Sequence, residues 1–491
     1  MTAAVSNGAG RLLFALMLLG CEADIPEGRF LCEVGRDAQC PAGFVCCPDA
    51  PLDGFDGRCR ATCEDGGVGM DAGAGDAGVV DGGPRDAGPG DGGAEDGGPE
   101  DAGPADAGAP DLRPLALAAG AAHSCLVRAD GAVFCWGDDR SGQLGRGTPM
   151  GRSTVPVQVA GVAPGAVEVA ASAAATCVRH ASGVQCWGSN TVPWAAVDGP
   201  LGDSRFSESA EPIDARISAP ASRIAMGAYH ACAVIAAGGA VECWGDNRNG
   251  QLGTGDTRSH GDPAEVVGLT GVTDLCAGDE HTCAIADGRV YCWGRDGDGQ
   301  VGDGAASGAE RPLPTEVPGL TDASAVACGA YHTCAVADAG GGRSLHCWGN
   351  NRGGQVGRPP DMTPIEAPVA SLDARAGQVE AIALGGRFSF PKEGFTCARG
   401  ASLPLHCFGD NNLGQLGIGG TSPPEGETWQ RTLELADSLV AVAAGGAHAC
   451  AIEAGDGGRV LCWGVGSDGQ LGNANTARQE TPVEVFGFGA E

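Results

Sequence analysis

The chain has 491 residues, of which 86 are glycine and 23 are cysteine, while aromatic residues make up only 5%. Its formal net charge of −32 disfavours nucleic acid and anionic membrane surfaces as partners, because both attract basic patches. The cysteine density is typical of exported proteins and rare in the reducing cytosol, and the glycine content favours many short strands over a large aromatic core.

Residues 1–21 are predicted to be an export signal. Arg11 precedes an apolar run, residues 12–19, which is too short to span a bilayer and is typical of a signal-peptide core. Leu18-Leu19-Gly20-Cys21 resembles a bacterial lipobox, in which the cysteine is acylated and becomes the mature N-terminus. We therefore expect lipidation at Cys21 and attachment to the bacterial cell envelope through the lipid alone. An ordinary cleaved signal, which would make the protein secreted, is the alternative.

Residues 22–63 contain a dense group of cysteines. So short a segment buries too little apolar surface to fold without cross-links, so we expect a disulfide-rich module whose pairing the sequence leaves open. A zinc site is the alternative, disfavoured because the segment has no histidine and no Cys-x-x-Cys pair. The six cysteines are Cys32, Cys40, Cys46, Cys47, Cys59 and Cys63.

Residues 64–111 repeat Asp-Ala-Gly and Asp-Gly-Gly, with no aromatic residue and with Arg85 as the single basic one. Such a composition cannot offset the entropy of ordering, and it predicts a disordered, self-repelling acidic linker. A calcium-binding β-roll is the alternative, disfavoured because its nine-residue repeat is absent.

Residues 112–491 are built from one unit that occurs seven times. An apolar strand ending in glycine is followed by His-x-Cys, a glycine turn, Cys-Trp-Gly, a polar loop ending in Gly-Gln-Leu-Gly, and a Pro-x-x-Val strand. The copies are about 51 to 63 residues apart, the length of one four-stranded propeller blade with its loops. Because one copy alone buries little, we predict an all-β, closed seven-bladed β-propeller. The sequence leaves open whether the last strand completes a blade begun near residue 115.

Two cysteines in each copy predict an intrablade disulfide. In the fourth copy, Asp287-Gly288 is a two-residue hairpin signal that places Cys283 opposite Cys292. Opposed strand positions lie about 4.5–5.5 Å apart at Cα, which a disulfide tolerates. The predicted pairs are Cys125–Cys135, Cys177–Cys186, Cys232–Cys243, Cys283–Cys292, Cys334–Cys347, Cys397–Cys407 and Cys450–Cys462.

Cys276 and Cys328 fall outside these pairs, at nearly equivalent positions of the first strands of successive copies. An interblade disulfide and two buried thiols both fit this placement. A catalytic thiol is disfavoured, because neither cysteine has a flanking cation or a dedicated base.

The unit resembles the regulator of chromosome condensation repeat, on the residues 227–232, 243–247 and 250–253 and their counterparts in the other copies. The resemblance covers roughly three quarters of the chain and implies a seven-bladed propeller that acts through protein–protein contacts. The second copy departs from the pattern, because it lacks Gly-Gln-Leu-Gly and has Ala174-Ala175 in the place of the histidine. The sixth copy has Cys407-Phe408 and an insertion at residues 387–392.

The repeated polar residues are expected to be structural. Each histidine takes the same place in its blade, so the ring keeps the histidines apart; we expect hydrogen bonds inside each blade and no metal. The glutamine of each Gly-Gln-Leu-Gly element is expected to hydrogen-bond backbone between blades. The acidic loops superficially resemble calcium loops, yet Asx turns explain them better, because no bidentate glutamate follows. The histidines are His123, His230, His281, His332 and His448.

The sequence contains no catalytic motif and predicts neither enzymatic activity nor a cofactor. Positions where a copy departs from the repeat are the candidates for partner binding, because the fold does not require them; packing of these rings beneath their own loops is the alternative. We expect a monomeric, non-enzymatic protein-binding propeller in the cell envelope. The candidates are Trp194, Phe206, Phe388, Phe390 and Trp429.

Three other functions were weighed. The same propeller fold occurs in a bacterial β-lactamase-inhibitor protein, so a secreted inhibitor of a β-lactamase or a protease is an alternative. An envelope hydrolase is another, since carboxylates are abundant. A guanine-nucleotide exchange factor or chromatin binder, the eukaryotic role of the family, is disfavoured by the export signal, the paired cysteines and the acidic charge.

Overall fold

The computed structural model describes the chain from residue 111 to 488, apart from residues 193–194, 306–307, 341, 372–373, 387–392, 423–428 and 456–457. Before residue 111 it describes four short strands. The chain forms two compact units, residues 1–25 with 29–110, and residues 26–28 with 111–491. The signal segment, the lipidation site Cys21 and the linker up to residue 110 lie outside the described residues.

The first unit contains an antiparallel four-stranded sheet in the order β1-β2-β4-β3. In its register Cys46 lies opposite Cys59. The sheet covers the segment in which we predict the disulfide-rich module, and the pairing of its cysteines stays a prediction. The strands are β1 (Glu22–Asp24), β2 (Arg29–Cys32), β3 (Val45–Leu52) and β4 (Phe55–Arg60).

The second unit consists of seven four-stranded antiparallel sheets, the blades of the predicted propeller. Blades 1 to 3 are β5 (Pro114–Ala119), β6 (His123–Arg128), β7 (Val133–Asp139) and β8 (Gly151–Gln158); β9 (Glu168–Ala171), β10 (Ala175–His180), β11 (Gly183–Ser189) and β14 (Glu208–Asp214); and β15 (Ala221–Met226), β16 (His230–Ile235), β17 (Val241–Gly245) and β18 (His260–Glu265). A small hairpin, β12 (Thr191–Val192) and β13 (Ala195–Asp198), lies in the connection from β11 to β14.

Blades 4 to 7 repeat the same order. They are β19 (Val272–Ala277), β20 (His281–Ala286), β21 (Arg289–Gly294) and β22 (Arg311–Glu316); β23 (Thr321–Cys328), β24 (His332–Asp338), β25 (Arg343–Asn351) and β26 (Asp361–Ala370); β27 (Ala381–Gly386), β28 (Gly394–Gly400), β29 (Leu403–Gly409) and β30 (Gln430–Arg431); and β31 (Leu439–Ala444), β32 (His448–Glu453), β33 (Val460–Gly464) and β34 (Gln479–Glu484). A 3₁₀ helix, Ala374–Gln378, precedes β27. Within the described part of the chain no helix has the length and hydropathy of a membrane span.

The ring closes without a shared strand. Each innermost strand contacts the innermost strand of the next blade, and β31 contacts β5 in the same way. The last strand, β34, pairs with β33 in its own blade. Blades 7 and 1 are therefore held together by side chains and by backbone hydrogen bonds from the Gly446 amide to the Gly120 carbonyl, 3.1 Å, and from the Ala474 amide to the Thr154 carbonyl, 2.9 Å.

The hydrophobic core lies between blades. One cluster combines Ile285 and Val290 of blade 4 with Val326, Ala335 and Trp348 of blade 5. Because every core cluster of the propeller combines residues of two neighbouring blades, a single copy could not bury its apolar surface, and this is the physical reason for the ring.

The predicted hairpin of blade 4 is confirmed. Ala286 pairs with Arg289 and Cys283 with Cys292. Both turn residues have positive φ, 50° at Asp287 and 72° at Gly288, as a tight two-residue hairpin turn requires.

Candidate partner-binding face

The cysteines of the propeller are joined within and between blades. All seven predicted pairs form disulfides between the second and third strands, with Cα atoms 4.0 to 4.1 Å apart. Cys276 and Cys328 form an eighth disulfide between the innermost strands of blades 4 and 5, with a Cα distance of 5.5 Å. The alternative of two free thiols is therefore not realised.

The repeated histidines connect successive blades. The Nε2 atom of His281 lies 2.9 Å from the Thr333 hydroxyl of blade 5, and that hydroxyl donates to the Gln300 carbonyl at 3.0 Å. Since the single hydroxyl hydrogen is used there, the imidazole donates through Nε2. The same bond, at 2.9 Å, joins His123 to Thr176, His230 to Thr282, His332 to Thr396 and His448 to Ser124. The expectation of hydrogen bonds inside each blade was wrong, because the acceptor belongs to the next blade.

These imidazoles are held neutral. Burial lowers the pKa of His123 and of His230 to about 4. It lowers the pKa of His281, His332 and His448 to about 3. Each of the five bridges a different pair of blades, so their arrangement holds the ring together and does not converge on an ion.

Two blades lack the histidine, and both lose its acceptor as well. In blade 2 the position is Ala175, and the hydroxyl position of blade 3 is Ala231. In blade 6 it is Phe395, and the corresponding residue of blade 7 is Ala449. The imidazole of one blade and the hydroxyl of the next are therefore absent together at both junctions, as expected if each stabilises the junction only when the other is present.

The tryptophans of Cys-Trp-Gly are also interblade residues. Trp293 Nε1 donates to the backbone carbonyl of Gln251, 2.9 Å away in the preceding blade. The Gln251 side chain itself accepts a hydrogen bond from the Asn249 amide of its own loop at 3.0 Å. The predicted hydrogen bonds of these glutamines between blades are therefore made by their backbone carbonyls, whereas their side chains bond within their own loops.

The second copy carries a variant of the Gly-Gln-Leu-Gly loop element. Residues 199–202 read Gly-Pro-Leu-Gly, with proline in the place of glutamine. The Pro200 carbonyl accepts the hydrogen bond of Trp244 Nε1 at 2.8 Å, and Leu201 is fully buried like its counterparts. Proline is tolerated because the interblade bond uses a carbonyl, which proline retains.

The acidic loops are stabilised by hydrogen bonds within each loop. The Asp296 carboxylate accepts a hydrogen bond from the Val301 amide at 3.1 Å, and Asp139 accepts one from Leu144 at 3.0 Å. These two carboxylates each accept from an amide five residues further on in their own loop. Asp138 accepts a hydrogen bond from the Arg140 amide two residues further on, at 3.2 Å, in agreement with the Asx-turn interpretation.

The predicted aromatic anchors differ in their surroundings. Trp429 is only 1% exposed, its ring stacks on Phe408 with centroids 5.0 Å apart, and its Nε1 donates to the Ser371 hydroxyl at 3.1 Å. Trp429 was thus wrongly taken as a partner-binding candidate; it fills the space beside the phenylalanine that replaces a blade tryptophan. Phe206 is 38% exposed, with the Arg205 guanidinium 5.8 Å from its ring centroid. Trp194, Phe388 and Phe390 lie outside the described residues.

The topology puts the sequence departures on one face of the ring. In an antiparallel blade, the connection from the first to the second strand and that from the third to the fourth lie at the same edge. We call the face formed by these edges the loop face. The connection from β11 to β14, which carries Phe206, and the connection from β27 to β28, which carries the insertion of blade 6, both begin and end there.

The sequence analysis missed a cluster at the centre of this face. Blades 3, 4 and 5 place large polar residues in the turn between their first and second strands, where residues 121–122, 173–174 and 446–447 of blades 1, 2 and 7 are alanine or glycine. Two of the three tyrosines of the chain are among them. An alignment of the seven turns would have revealed it. We call the cluster the channel patch: Tyr229, Asp279, Glu280 and Tyr331 of these turns, together with Arg248 and Arg295 of the connections between the third and fourth strands of blades 3 and 4.

The charges of the channel patch are mostly paired. Arg295 forms an ion pair with Glu280 and lies 5.7 Å from the centroid of the Tyr331 ring, while Arg248 Nε is 2.8 Å from a carboxylate oxygen of Asp246. Asp279 is the exception, because its buried Oδ2 atom has no hydrogen-bond partner. Burial and the charge of Glu280 raise the pKa of Asp279 to about 7, against the opposing effect of Arg295.

Comparisons with known proteins agree with this architecture. A family model described as RCC1-like domain matches residues 84–391, and the regulator of chromosome condensation (RCC1) repeat matches residues 457–490. The ultraviolet-B receptor UVR8 of Arabidopsis thaliana is 30% identical over 382 residues, which cover 76% of this chain and 82% of the receptor.

Solved structures share the fold. Human WBSCR16 superposes with a TM-score of 0.59 at 19% identity, over 70% of this chain and 88% of that one. Yeast RCC1 (Prp20), solved with Kap60 bound, gives a TM-score of 0.58 at 21% identity, over 72% of this chain and 83% of that one. Seven blades, their repeated motifs and these matches together show that the chain belongs to the RCC1-like domain family.

Proposed function

We propose that this protein is a non-enzymatic binding protein whose propeller recognises a protein partner with its loop face. The observation that carries the proposal is the channel patch, in which the first turns of three consecutive blades carry tyrosines and carboxylates, with two arginines of neighbouring loops beside them. The fold does not need these tyrosines and carboxylates, since blades 1, 2 and 7 have alanine or glycine in their place.

The composition of the loop face fits a protein partner. Tyrosine and arginine dominate the binding energy of many protein interfaces, and here they surround the channel, with the exposed ring of Phe206 on the same face. Yeast RCC1, which shares the fold, was solved with the protein Kap60 bound. The repeated histidines and cysteines are used by the fold, which argues against assigning them a catalytic role.

The proposal includes a place in the bacterial cell envelope. Its support is the lipobox-like sequence at Cys21 and the eight disulfides of the propeller, which require an oxidising compartment. Labelling of cells with an alkyne fatty acid tests it: we expect incorporation into the wild type and none into Cys21→Ser. Equal labelling of both proteins, or of neither, contradicts lipidation at Cys21.

The binding function is tested by capture with the full-length, oxidised protein, which we expect to be a monomer by light scattering. Envelope and medium extracts are passed over immobilised wild type, Tyr229→Ala, Phe206→Ala and the control Val167→Ala. Val167 is 40% exposed, close to the 38% of Phe206, and it lies in the connection from β8 to β9, at the edge of the blades opposite the loop face. We expect one stoichiometric partner that is lost with a loop-face variant and retained with the control.

The outcomes of this capture separate the alternatives. No enriched protein, or a partner retained by both loop-face variants and lost by Val167→Ala, contradicts the proposal. A captured enzyme whose turnover falls on binding identifies the secreted inhibitor. Turnover of glycans or esters by the purified wild type contradicts the non-enzymatic proposal.

A further inference from the structure

The loop-face end of the central channel contains a cavity of about 160 Å³. Its walls take three residues from each of the seven blades, at the ends of the innermost strands. Nearly all are glycine, alanine or serine; the exceptions are Met226, Asp279, Cys328 and Leu384. Since Cys328 is in a disulfide, Asp279 is the titratable side chain among the described residues of this wall.

Asp279 is unusual for its position. The equivalent residues of the other blades are Ala121, Ala173, Ala228, Ala330, Gly386 and Gly446, which also line the cavity. The buried Oδ2 atom of Asp279 has no partner within the described residues. A buried carboxylate with an unsatisfied oxygen costs stability, and the other six blades have no carboxylate at this position. This side chain therefore points to a ligand at the channel mouth that compensates its charge.

No described cation of the channel patch is left to pair with Asp279. Arg295 and Arg248 form ion pairs with Glu280 and Asp246. Among the described residues, the group of three side chains that could hold a metal ion is formed by the sulfurs of Cys276, Cys283 and Cys328, which are all in disulfides. Asp279 is therefore not part of a group of side-chain ligands of the kind that a calcium or magnesium ion prefers.

We propose that the channel mouth binds the ammonium group of a lysine side chain of the protein partner, with Asp279 as its counter-ion. The apolar wall of small residues, Met226 and Leu384 suits a tetramethylene stem, which lysine buries readily. Because Oδ2 is buried, the carboxylate can offer a ligand no more than one oxygen, which suits a point charge better than a bidentate guanidinium. The raised pKa of Asp279 agrees with a site that lacks its cation. The identity of the lysine as part of a protein rests on the function proposed above.

The test uses small mimics and a local probe. Full-length oxidised protein with ¹³C-methyl methionine is titrated with n-butylammonium, with n-butanol as the uncharged match and with n-butylguanidinium as the arginine mimic. The Met226 methyl reports on the cavity, and the exposed Met362 methyl on an outer strand is the internal control. We expect saturable shifts of Met226 with n-butylammonium, and no change at Met362.

The variants Asp279→Ala and Asp279→Asn should lower the affinity for n-butylammonium at least tenfold. The control Glu265→Gln, which removes a surface carboxylate on β18, should leave this affinity unchanged. Asp279→Ala restores the residue that four other blades have, so it is expected to fold. Equal affinity for n-butanol, tighter binding of n-butylguanidinium, or undiminished binding by both Asp279 variants overturns the proposal. Partner capture that survives Asp279→Ala, with butylammonium binding lost, leaves the protein-binding function standing and overturns only the lysine assignment.

Discussion

The interblade histidine bridge can be tested by transplanting one natural pair onto another. His281 and Thr333 join blades 4 and 5 through a 2.9 Å hydrogen bond, whereas Phe395 and Ala449 occupy the same positions in blades 6 and 7. We consider His281→Phe, Thr333→Ala and the double variant. A phenylalanine ring should fit at residue 281, because Gly278 leaves room for the histidine ring as Gly385 does for Phe395.

The single and double variants should differ in a defined way. Thr333→Ala leaves the buried Nε2–H of His281 without an acceptor, which costs about 1–3 kcal/mol, while the Gln300 carbonyl keeps the Trp348 indole at 2.9 Å. His281→Phe removes the group that needs the acceptor. The double variant should therefore be more stable than the sum of the single effects predicts, by about 1–2 kcal/mol.

Urea unfolding followed by tryptophan fluorescence, under oxidising conditions at pH 7, measures these differences in the free energy of unfolding. His281→Phe combined with Thr176→Ala is the matched control, because Thr176 accepts the bond of His123 at a different blade junction, and its effects should add. If the His281 and Thr333 substitutions are additive to within about 0.3 kcal/mol, the coupling inferred from the paired changes does not exist.

Three further predictions concern acid, reductant and the channel mouth. The folded pKa values of the five neutral histidines, near 3 to 4, lie below the ordinary 6.5, so their contribution to stability is complete above pH 6.5. As the pH drops to about 4, the free energy of unfolding should fall by up to about 1.4 kcal/mol per pH unit for each histidine. A free energy of unfolding that does not change between pH 6.5 and 4 would contradict this prediction. Mild reductant followed by alkylation and mass spectrometry should label the half-buried Cys276 and Cys328 before the fully buried Cys283 and Cys292, and the reverse order would refute this. Asp279→Ala should raise the free energy of unfolding by about 1–3 kcal/mol above pH 7, where the carboxyl is ionised, and by less as the pH falls below 7; a destabilised variant would contradict the unpartnered carboxyl.

Much of the fold was predictable because its signals are local. The turn at Asp287-Gly288 sets the register of its hairpin, and that register alone places Cys283 opposite Cys292. The number of blades follows from the number of copies, since each copy carries its own four strands. The Asx turns of the acidic loops were predictable for the same reason: Asp138 accepts a hydrogen bond from an amide two residues away in its own turn.

What the sequence left undecided depends on contacts between blades. The acceptor of His281 lies 52 residues further along the chain, so no local pattern identifies it, and the same is true of the carbonyl that receives the Trp293 indole. Trp429 differs from the repeat, which predicts a partner-binding residue, yet its indole is buried and stacks on Phe408 of the preceding strand. The channel patch arises because ring closure brings one turn of every blade to a common axis. The sequence by itself determined the blades, their hairpins and their disulfides, because these need neighbours along the chain; only the closed ring decided which side chains meet at its centre, because those neighbours come from different blades.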